Sequence, residues 1–285
     1  MLNNQFSYFP GLSSDCFSQQ PTLTLTSSGE KGIVIQDIPV VSPSRLLVSD
    51  YYNNTLRLVC SVNGGVMSKV NVPGRPWGIC LMGDGKAAVA LYNMKKIQFI
   101  NVDGDTLSLD RTIDVKGNPR SISAYDSSRL VVVYDSPGRI EMMTIDGRVV
   151  DEVDNQKAGK DIFSNPYFIA TTNSGDIFVS DYSTQMIIQM DRSFRITQTF
   201  SSPMLTSPYG IVSVSTDQLL VADQEGNSIV DLNPTSGTVT PLLGQADGIQ
   251  KPQALSWCQA SKKLYVSRAN DQTTLSVFKV RNEHG

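Results

Sequence analysis

The sequence has very little histidine, and this lack restricts the chemistry that the chain can perform. Its one histidine is His284, the residue before the C-terminal Gly285. A zinc site built on histidines needs an imidazole inside the site, and so does a Ser–His or Cys–His catalytic pair. We therefore expect neither, and we expect a chain that is not an enzyme.

Long apolar runs are lacking as well. No stretch of about 18 apolar residues occurs, and the first residues, MLNNQFSYFPG, have neither a basic start nor an apolar core. We expect no membrane-spanning segment and no signal peptide.

Cysteines are few, and they share no spacing typical of a metal site. Three of the four lie in apolar, strand-like sequence; the four are Cys16, Cys60, Cys80 and Cys258. Buried, reduced thiols are the simplest interpretation, and they favour a cytoplasmic protein. We expect no metal and no other cofactor.

One stretch shows how the chain is built. Residues 207–243, SPYGIVSVSTDQLLVADQEGNSIVDLNPTSGTVTPLL, contain four apolar or β-branched runs separated by three turn sequences. The second run, Leu219 to Ala222, does not alternate polar with apolar residues, which predicts a strand buried on both faces. Pro241 in the fourth run cannot donate a ladder hydrogen bond, which predicts an edge strand. Such a four-stranded sheet is typical of one propeller blade.

The same unit repeats along the chain. A proline precedes the first strand at intervals of 42 to 47 residues, at Pro76, Pro119, Pro166, Pro208 and Pro252. The second strand occurs six times, beginning near Leu46, Ala87, Val131, Ile177, Leu219 and Leu264. A repeat of this length predicts an all-β, six-bladed β-propeller of four-stranded antiparallel blades.

The repeat also predicts the domain boundaries. Residues 1–20 have no period and are expected to be a lead-in segment, and residues 21–285 form a single propeller. The predicted blades are 32–72, 75–115, 118–153, 165–200, 207–243 and 251–280, with 32–38 as the first strand of blade one. Blade six lacks a fourth strand, so we expect 22–26 to pair outside 275–280 and to close the ring. The charged segment 154–164 is expected to be a surface loop.

The repeated unit, P-x-G-I then L-L-V-x-D then N-x-x-I, resembles the NHL repeat, which builds six-bladed propellers. The acidic position of that repeat holds Asp50, Asp135, Asp181 and Asp223, whereas Leu91 and Arg268 depart from it. The stretch GRPWGICLMGDGKAAVALYNMKKIQFINVDG is most similar to the C-terminal domains of animal tripartite-motif (RING/B-box) proteins.

This resemblance implies a recognition module. In tripartite-motif proteins the RING and B-box supply ubiquitin-ligase activity and the propeller selects the target. Four cysteines and one histidine cannot build those zinc modules, so this chain would be the recognition part alone. The four aspartates of the repeat precede turns, and we interpret them as structural caps.

Some six-bladed propellers are enzymes, and a calcium-dependent hydrolase of this fold is a remote alternative. Asn118 and Asn165 would offer oxygen ligands beside the leading prolines. The other blades offer Arg75, Ser207 and Lys251 there, and a calcium site requires several carboxylates. The sequence therefore gives this alternative little support.

In the NHL pattern, the residues beside each proline and the turn after each second strand lie around one mouth of the central tunnel. Aromatic residues, arginines and lysines collect there, a composition typical of an interaction surface. The predicted ligand-binding face is Tyr51, Tyr52, Arg75, Trp77, Tyr92, Lys95, Lys96, Arg120, Arg139, Tyr167, Tyr182, Tyr209, Lys251 and Arg268. The opposite face collects Asp-Gly hairpins and should be more acidic. Trp77 has a second interpretation, as packing between blades.

Two partners fit this face. The favoured one is a protein, either a substrate or an adaptor of a ligase. The alternative is single-stranded RNA, with bases on the aromatic rings and phosphates on lysine and arginine. The net charge of −3 favours the protein, because strong nucleic-acid binders are usually basic.

Overall fold

The computed structural model describes residues 14–25, 32–159, 161–172, 174–269 and 273–281. These residues form six four-stranded antiparallel sheets arranged as the blades of a ring, which confirms the predicted propeller. No helix among them is both long and apolar enough to cross a membrane.

The strands follow the chain from the inside of each blade outward. Blade one is β2 (Val40–Ser42), β3 (Arg45–Asp50), β4 (Thr55–Cys60) and β5 (Val66–Asn71), and blade two is β6 (Pro76–Gly83), β7 (Lys86–Leu91), β8 (Lys96–Asp103) and β9 (Thr106–Asp114). Blade three is β10 (Pro119–Ala124), β11 (Arg129–Asp135), β12 (Gly138–Thr144) and β13 (Val149–Asp154), and blade four is β14 (Pro166–Thr171), β15 (Ile177–Asp181), β16 (Met186–Met190) and β17 (Ile196–Phe200). Blade five is β18 (Pro208–Ser215), β19 (Gln218–Asp223), β20 (Ser228–Asn233) and β21 (Thr238–Leu243), and blade six is β22 (Pro252–Cys258), β23 (Lys263–Arg268), β24 (Thr274–Val280) and β1 (Phe17–Thr24).

The core lies between neighbouring blades. Leu47 and Leu58 of blade one pack with Val89 and Ile100 of blade two, and each further pair of blades has a similar cluster. Burial of this apolar surface stabilises the ring by roughly 25 cal/mol per Å². The second strand of blade five is buried on both faces, as its sequence predicts.

Prolines occur at the start of innermost strands and in an outermost strand, where the missing backbone N–H removes no hydrogen bond that the sheet needs. Each of the five leading prolines begins the innermost strand of its blade, and Pro241 lies in the outermost strand β21. Both placements confirm the sequence predictions.

The ring is closed by the N-terminal strand, but this strand begins earlier than predicted. β1 pairs with β24 from Phe17 opposite Val280 to Thr24 opposite Thr274. The lead-in boundary at residue 20 and the strand bounds 22–26 were therefore wrong, and Thr26 lies outside the described residues. The register shifts between Gln20 and Leu23, and this irregularity accommodates Pro21. The residues before Pro21 show no period, so nothing in the sequence indicated the earlier start.

The innermost strand of blade one was also predicted wrongly. Residues 32–38 contribute one bridge, between Ile35 and Asp50, and the strand itself is Val40–Ser42. The Asp37 carboxylate accepts the N–H of Ile38 at 2.8 Å, which takes that donor out of a regular ladder.

The connection between blades three and four is not a simple surface loop. It starts with a single helical turn, α1 (Asn155–Ala158), capped by Asp154, and the side chains of Ile162 and Phe163 are buried. The Asn155 Oδ1 atom accepts both of their backbone N–H groups, at 2.9 and 2.7 Å. The charged residues of segment 154–164 led to the prediction of a surface loop, although Ile162 and Phe163 within it are buried.

Candidate functional site at the tunnel mouth

Five residues cover one end of the central tunnel. They are the residues that follow the leading prolines: Trp77, Arg120, Tyr167, Tyr209 and Gln253. The rings of Trp77 in blade two and Tyr167 in blade four lie 6.0 Å apart, so they meet across the end of the tunnel. We call these five residues the mouth plug.

Arg120 is the centre of the mouth plug. Its guanidinium lies 3.8 Å from the ring centre of Tyr167 and 4.8 Å from that of Trp77, within cation–π range. It pairs with Asp135 at 2.7 Å and donates to the Asn165 side-chain oxygen at 2.8 Å. Because these groups hold the buried cation on several sides, the plug is a rigid floor.

Two buried donors in the plug have no acceptor among the described residues. They are Nε of Arg120 and Nε1 of Trp77. Trp77 is only 8% exposed and packs with Tyr51 and Val34, so its packing role is real. Trp77 therefore packs beneath the exposed rings and offers little of its own surface to a ligand.

Around the plug, aromatic rings extend toward solvent. Tyr52 is 66% exposed, and its ring lies 5.2 Å from that of Tyr51. The exposed Arg75 lies 5.1 Å from the Tyr51 ring and donates to the Tyr51 hydroxyl at 3.2 Å. That hydrogen bond raises the pKa of Arg75 above its ordinary value, so this exposed cation stays charged.

A second group of rings lies on blades four and five. Tyr209 lies 4.4 Å from Tyr167 and 5.5 Å from Tyr182 between ring centres, and all three side chains are half-buried. Burial, and then the neighbouring Tyr167, raise the pKa of Tyr209. Its hydroxyl therefore remains protonated, and the patch is uncharged.

Nine of the predicted residues thus form one contiguous cluster. We call them the mouth surface: Tyr51, Tyr52, Arg75, Trp77, Tyr92, Arg120, Tyr167, Tyr182 and Tyr209.

The other five predicted residues make no contact with this cluster that we observe. Lys96 pairs with Asp114 at 2.5 Å, and Lys251 pairs with Glu225. Arg139 stacks on Tyr134 and pairs with the buried Glu141 at 2.9 Å, and Arg268 donates to Ser276 at 2.7 Å. Lys95 is exposed on the turn before β8, beside the mouth surface.

One aspartate that the repeat predicts to be a structural cap, Asp135, instead binds two residues of the mouth surface. Asp135 accepts the Tyr92 hydroxyl at 2.9 Å as well as pairing with Arg120. In blade four the equivalent Asp181 accepts the N–H of the residue two positions on, Ser183, but the residue two positions after Asp135 is Pro137, which has no N–H. That proline was the sequence signal for a different role.

The remaining three aspartates of the repeat do act as caps. Asp223 accepts the N–H groups of Thr206 and Ser207, at 3.1 and 2.7 Å. Asp181 likewise fixes its own turn, and Asp50 accepts from its turn and from Arg57 at 2.9 Å.

Below the plug, the tunnel contains a cavity of about 270 Å³ lined by the inner strands. Asp37 borders it, and its Oδ2 atom accepts the Ile79 N–H of blade two at 2.8 Å. Burial raises the pKa of Asp37 to about 7, while the backbone hydrogen bonds oppose this shift. Within the described part of the chain, no three or more His, Cys, Asp or Glu side chains lie together as metal ligands would.

The opposite end of the ring carries both signs of charge. A cavity of about 590 Å³ there is lined by Tyr125, Arg129 and Arg192 among others. Arg129 already pairs with Asp126 at 2.6 Å, and Arg192 donates to the Ser174 carbonyl. Of the Asp-Gly hairpins expected there, Asp105 pairs with Arg45 at 3.5 Å, so this end is mixed in charge, not simply acidic.

None of the family models compared with the chain matches it, and no curated protein matches it in sequence. Solved structures match it in fold. A catalytically inactive histidine-to-alanine variant of virginiamycin B lyase from Staphylococcus aureus, with quinupristin, gives a TM-score of 0.70 at 16% identity over 93% of this chain and 100% of that chain. A streptogramin B lyase gives 0.65 at 12% identity, over 94% and 99% of the two chains.

A third solved structure is also similar in fold. The β-propeller domain of Cps50 (Swd1) from Myceliophteria thermophila gives a TM-score of 0.62 at 12% identity, over 87% of this chain and 84% of that chain. At such identities the likeness establishes the six-bladed propeller and nothing about activity.

Proposed function

We propose that this propeller is a non-catalytic recognition module that binds a protein partner through the mouth surface. The observation that supports the proposal is that aromatic rings facing solvent pack on the buried, tightly bonded side chains of the mouth plug. Tyr52 and the tyrosines of blades four and five face solvent, while Trp77 and Arg120 hold them from below. Protein-binding hot spots are rich in Trp, Tyr and Arg, and rigid aromatic anchors lose little entropy on binding.

The finer role that we propose is target selection within a tripartite-motif-type ubiquitin ligase. Its support is the NHL-like repeat and the stretch around Trp77 described above. The ligase chemistry would belong to RING and B-box modules outside the present sequence. The Swd1 propeller is consistent with a non-enzymatic propeller of this size.

The lyase neighbours favour the competing class, an enzyme. In virginiamycin B lyase a histidine-to-alanine change gives a catalytically inactive protein. The one histidine of this chain, His284, lies outside the described residues, so none of the described inner strands contains a histidine. The oxygen of Asn165, a candidate calcium ligand, is taken by Arg120. Both points support the non-catalytic role.

Single-stranded RNA is the second candidate, because exposed Lys95 and Arg75 flank aromatic rings. If RNA is the ligand, a Lys95→Glu/Lys96→Glu variant should lose binding to a random RNA pool, and the salt dependence should flatten. A variant that binds RNA as before would reject this candidate.

The protein-recognition role is tested by site-specific photo-crosslinking in living cells. A photoreactive phenylalanine analogue placed at Tyr52 should yield a discrete protein adduct. The same analogue at Val62, 72% exposed in a turn at the opposite end of blade one, should not. Equal adducts from both positions, or none from Tyr52, would reject the role.

A further inference from the structure

Building on the protein-recognition role proposed above, we propose that the partner presents an acidic segment to the mouth surface. Its carboxylates would lie on blade two, and an apolar or aromatic side chain of the same segment would lie on the tyrosines of blades four and five.

Blade two carries three exposed cations at this end: Arg75, Lys95 and Lys116. Backbone contacts hold them on one continuous strip. The Arg75 N–H donates to the side chain of Asn93 at 2.7 Å, and the Val115 N–H donates to the Lys95 carbonyl at 2.9 Å. None of the ion pairs between described residues involves these three cations, and we call them the basic rim.

Several carboxylates at this end are buried or already bonded. Asp181 is buried in its own turn, Asp223 is buried against Ser207, and Asp135 is bound to Arg120 and Tyr92, while the exposed Asp114 pairs with Lys96 at 2.5 Å. Glu225, which is exposed, pairs with Lys251. The basic rim therefore faces solvent with a positive potential although the chain as a whole has a net charge of −3.

The uncharged part of the surface lies next to the basic rim. Ring contacts run without a gap from Tyr51, beside Arg75, through Trp77 at 5.1 Å to Tyr167 and Tyr209. A segment that spans both parts would gain apolar burial on the tyrosines, while the charges set its orientation and its association rate.

The ring geometry favours a peptide over single-stranded RNA. Tyr209 meets Tyr167 at 45° and Tyr182 at 80°, so in each pair the edge of one ring lies against the other ring. Base stacking needs an open ring face, which this packing restricts. Three cations also give a weak electrostatic footprint for a phosphate backbone.

The test is binding of a fluorescent random copolymer of glutamate and tyrosine to the whole chain, measured by anisotropy. A copolymer of lysine and tyrosine is the reference probe. We expect the acidic copolymer to bind and the basic one to bind far more weakly. Arg75→Glu/Lys95→Glu should weaken the acidic copolymer by about tenfold or more, and Lys116→Glu alone by less.

Lys86→Glu is the matched control. Lys86 is exposed at the start of β7, at the other end of the same blade, so Lys86→Glu gives the same charge change as Lys116→Glu, and half that of the double variant, away from the basic rim. Its binding should equal that of the unaltered chain. Equal melting temperatures of all the variants establish that each is folded.

Each of the following outcomes would reject the proposal that the partner presents an acidic segment or would reject the function on which it rests. Equal binding of the two copolymers, or equal losses in Lys86→Glu and Arg75→Glu/Lys95→Glu, would remove the role of the basic rim. Tighter binding of single-stranded RNA of similar length, lost in the same variants, would replace the peptide by RNA. If the acidic copolymer does not bind but the analogue at Tyr52 still crosslinks a protein, the acidic segment is rejected and the protein-recognition role remains. If the analogue at Tyr52 crosslinks nothing, the proposed function itself is rejected.

Discussion

Asp135 in blade three and Asp223 in blade five occupy the same position of the repeat, yet they serve different parts of the molecule. Asp223 is buried and holds the start of its own blade through Thr206 and Ser207. Asp135 instead binds the side chains of Arg120, on the neighbouring strand of its own blade, and of Tyr92 in blade two. In most copies of the repeat this aspartate stabilises its own blade. The aspartate that forms different bonds, Asp135, lies beside the mouth surface.

The largest effect should come from Asp50, the capping aspartate that forms a buried ion pair. Its carboxylate faces Arg57 at 2.9 Å, and both side chains are essentially inaccessible. Asp50→Ala should lower the free energy of unfolding by about 3 to 5 kcal/mol, because a buried charge loses its counter-charge. Chemical denaturation measures this loss. Asp50→Ala/Arg57→Met should recover part of it, and a single-variant loss below about 1 kcal/mol would show that Asp50 is not a structural cap.

Asp223→Ala should have the next largest effect, a loss of about 2 kcal/mol. The variant removes the acceptor for two backbone N–H groups that lie in a buried turn. Asp223→Asn keeps one acceptor oxygen and should lose less. At a temperature where Asp223→Ala is still folded, it should bind the glutamate–tyrosine copolymer normally, because its role is internal. Weakened binding would mean that the two aspartates do not differ in the way described.

A double-mutant cycle sharpens the comparison further. Asp135→Asn and Arg120→Met should be coupled by about 1 to 2 kcal/mol in the free energy of unfolding, because the two side chains pair directly at 2.7 Å. Asp223→Asn and Arg120→Met should be additive within about 0.5 kcal/mol, because no contact joins them among the described residues. If both cycles give the same coupling, then Asp135 acts only through the general stability of the propeller.

The repeat made the fold and most of the mouth surface predictable from sequence. Recurrent prolines and apolar second strands are local signals, and the ring geometry then brings Trp77, Tyr167 and Tyr209 together whatever their neighbours are. The contact of Asp135 with Tyr92 was not predictable in this way, because Tyr92 belongs to blade two and only the packing of the two blades brings the side chains together. Arg120, by contrast, lies on the neighbouring strand of the same blade. Pro137 indicated that Asp135 cannot cap its turn as Asp181 does, but it did not indicate which residues Asp135 binds instead.

Prediction at the closing seam failed for a different reason. Residues 1–20 show no period and so predicted a lead-in segment, whereas β1 begins at Phe17 and continues past Pro21 through an irregularity in the pairing. Blade one has no leading proline, so nothing in its sequence distinguished 32–38 from the short strand Val40–Ser42. Both errors arose where the chain departs from its own repeat.

A pH-dependent effect should come from Asp37, which accepts backbone N–H groups as Asp223 does but borders the tunnel cavity. Burial raises its pKa from 3.8 to about 7, so between these values the folded chain holds a proton that the unfolded chain has released. The free energy of unfolding should therefore fall as the pH rises through this range, by about 1.4 kcal/mol per pH unit. The carboxylates whose pKa is lowered, such as Asp126 with a pKa of about 2, lose their contribution only in more acidic solution.

Asp37→Asn should flatten this part of the profile, as measured by urea denaturation at about pH 5 and about pH 8. Asp103→Asn, in an exposed hairpin, is the control and should keep the slope of the unaltered chain. The comparison is of slopes, because the asparagine amide cannot accept both N–H groups and will lower stability at every pH. If Asp37→Asn keeps the full slope, the pH dependence belongs to another group, for instance Asp231, whose pKa burial also raises. In that case Asp37 would be an ordinary ionised cap of the same kind as Asp223.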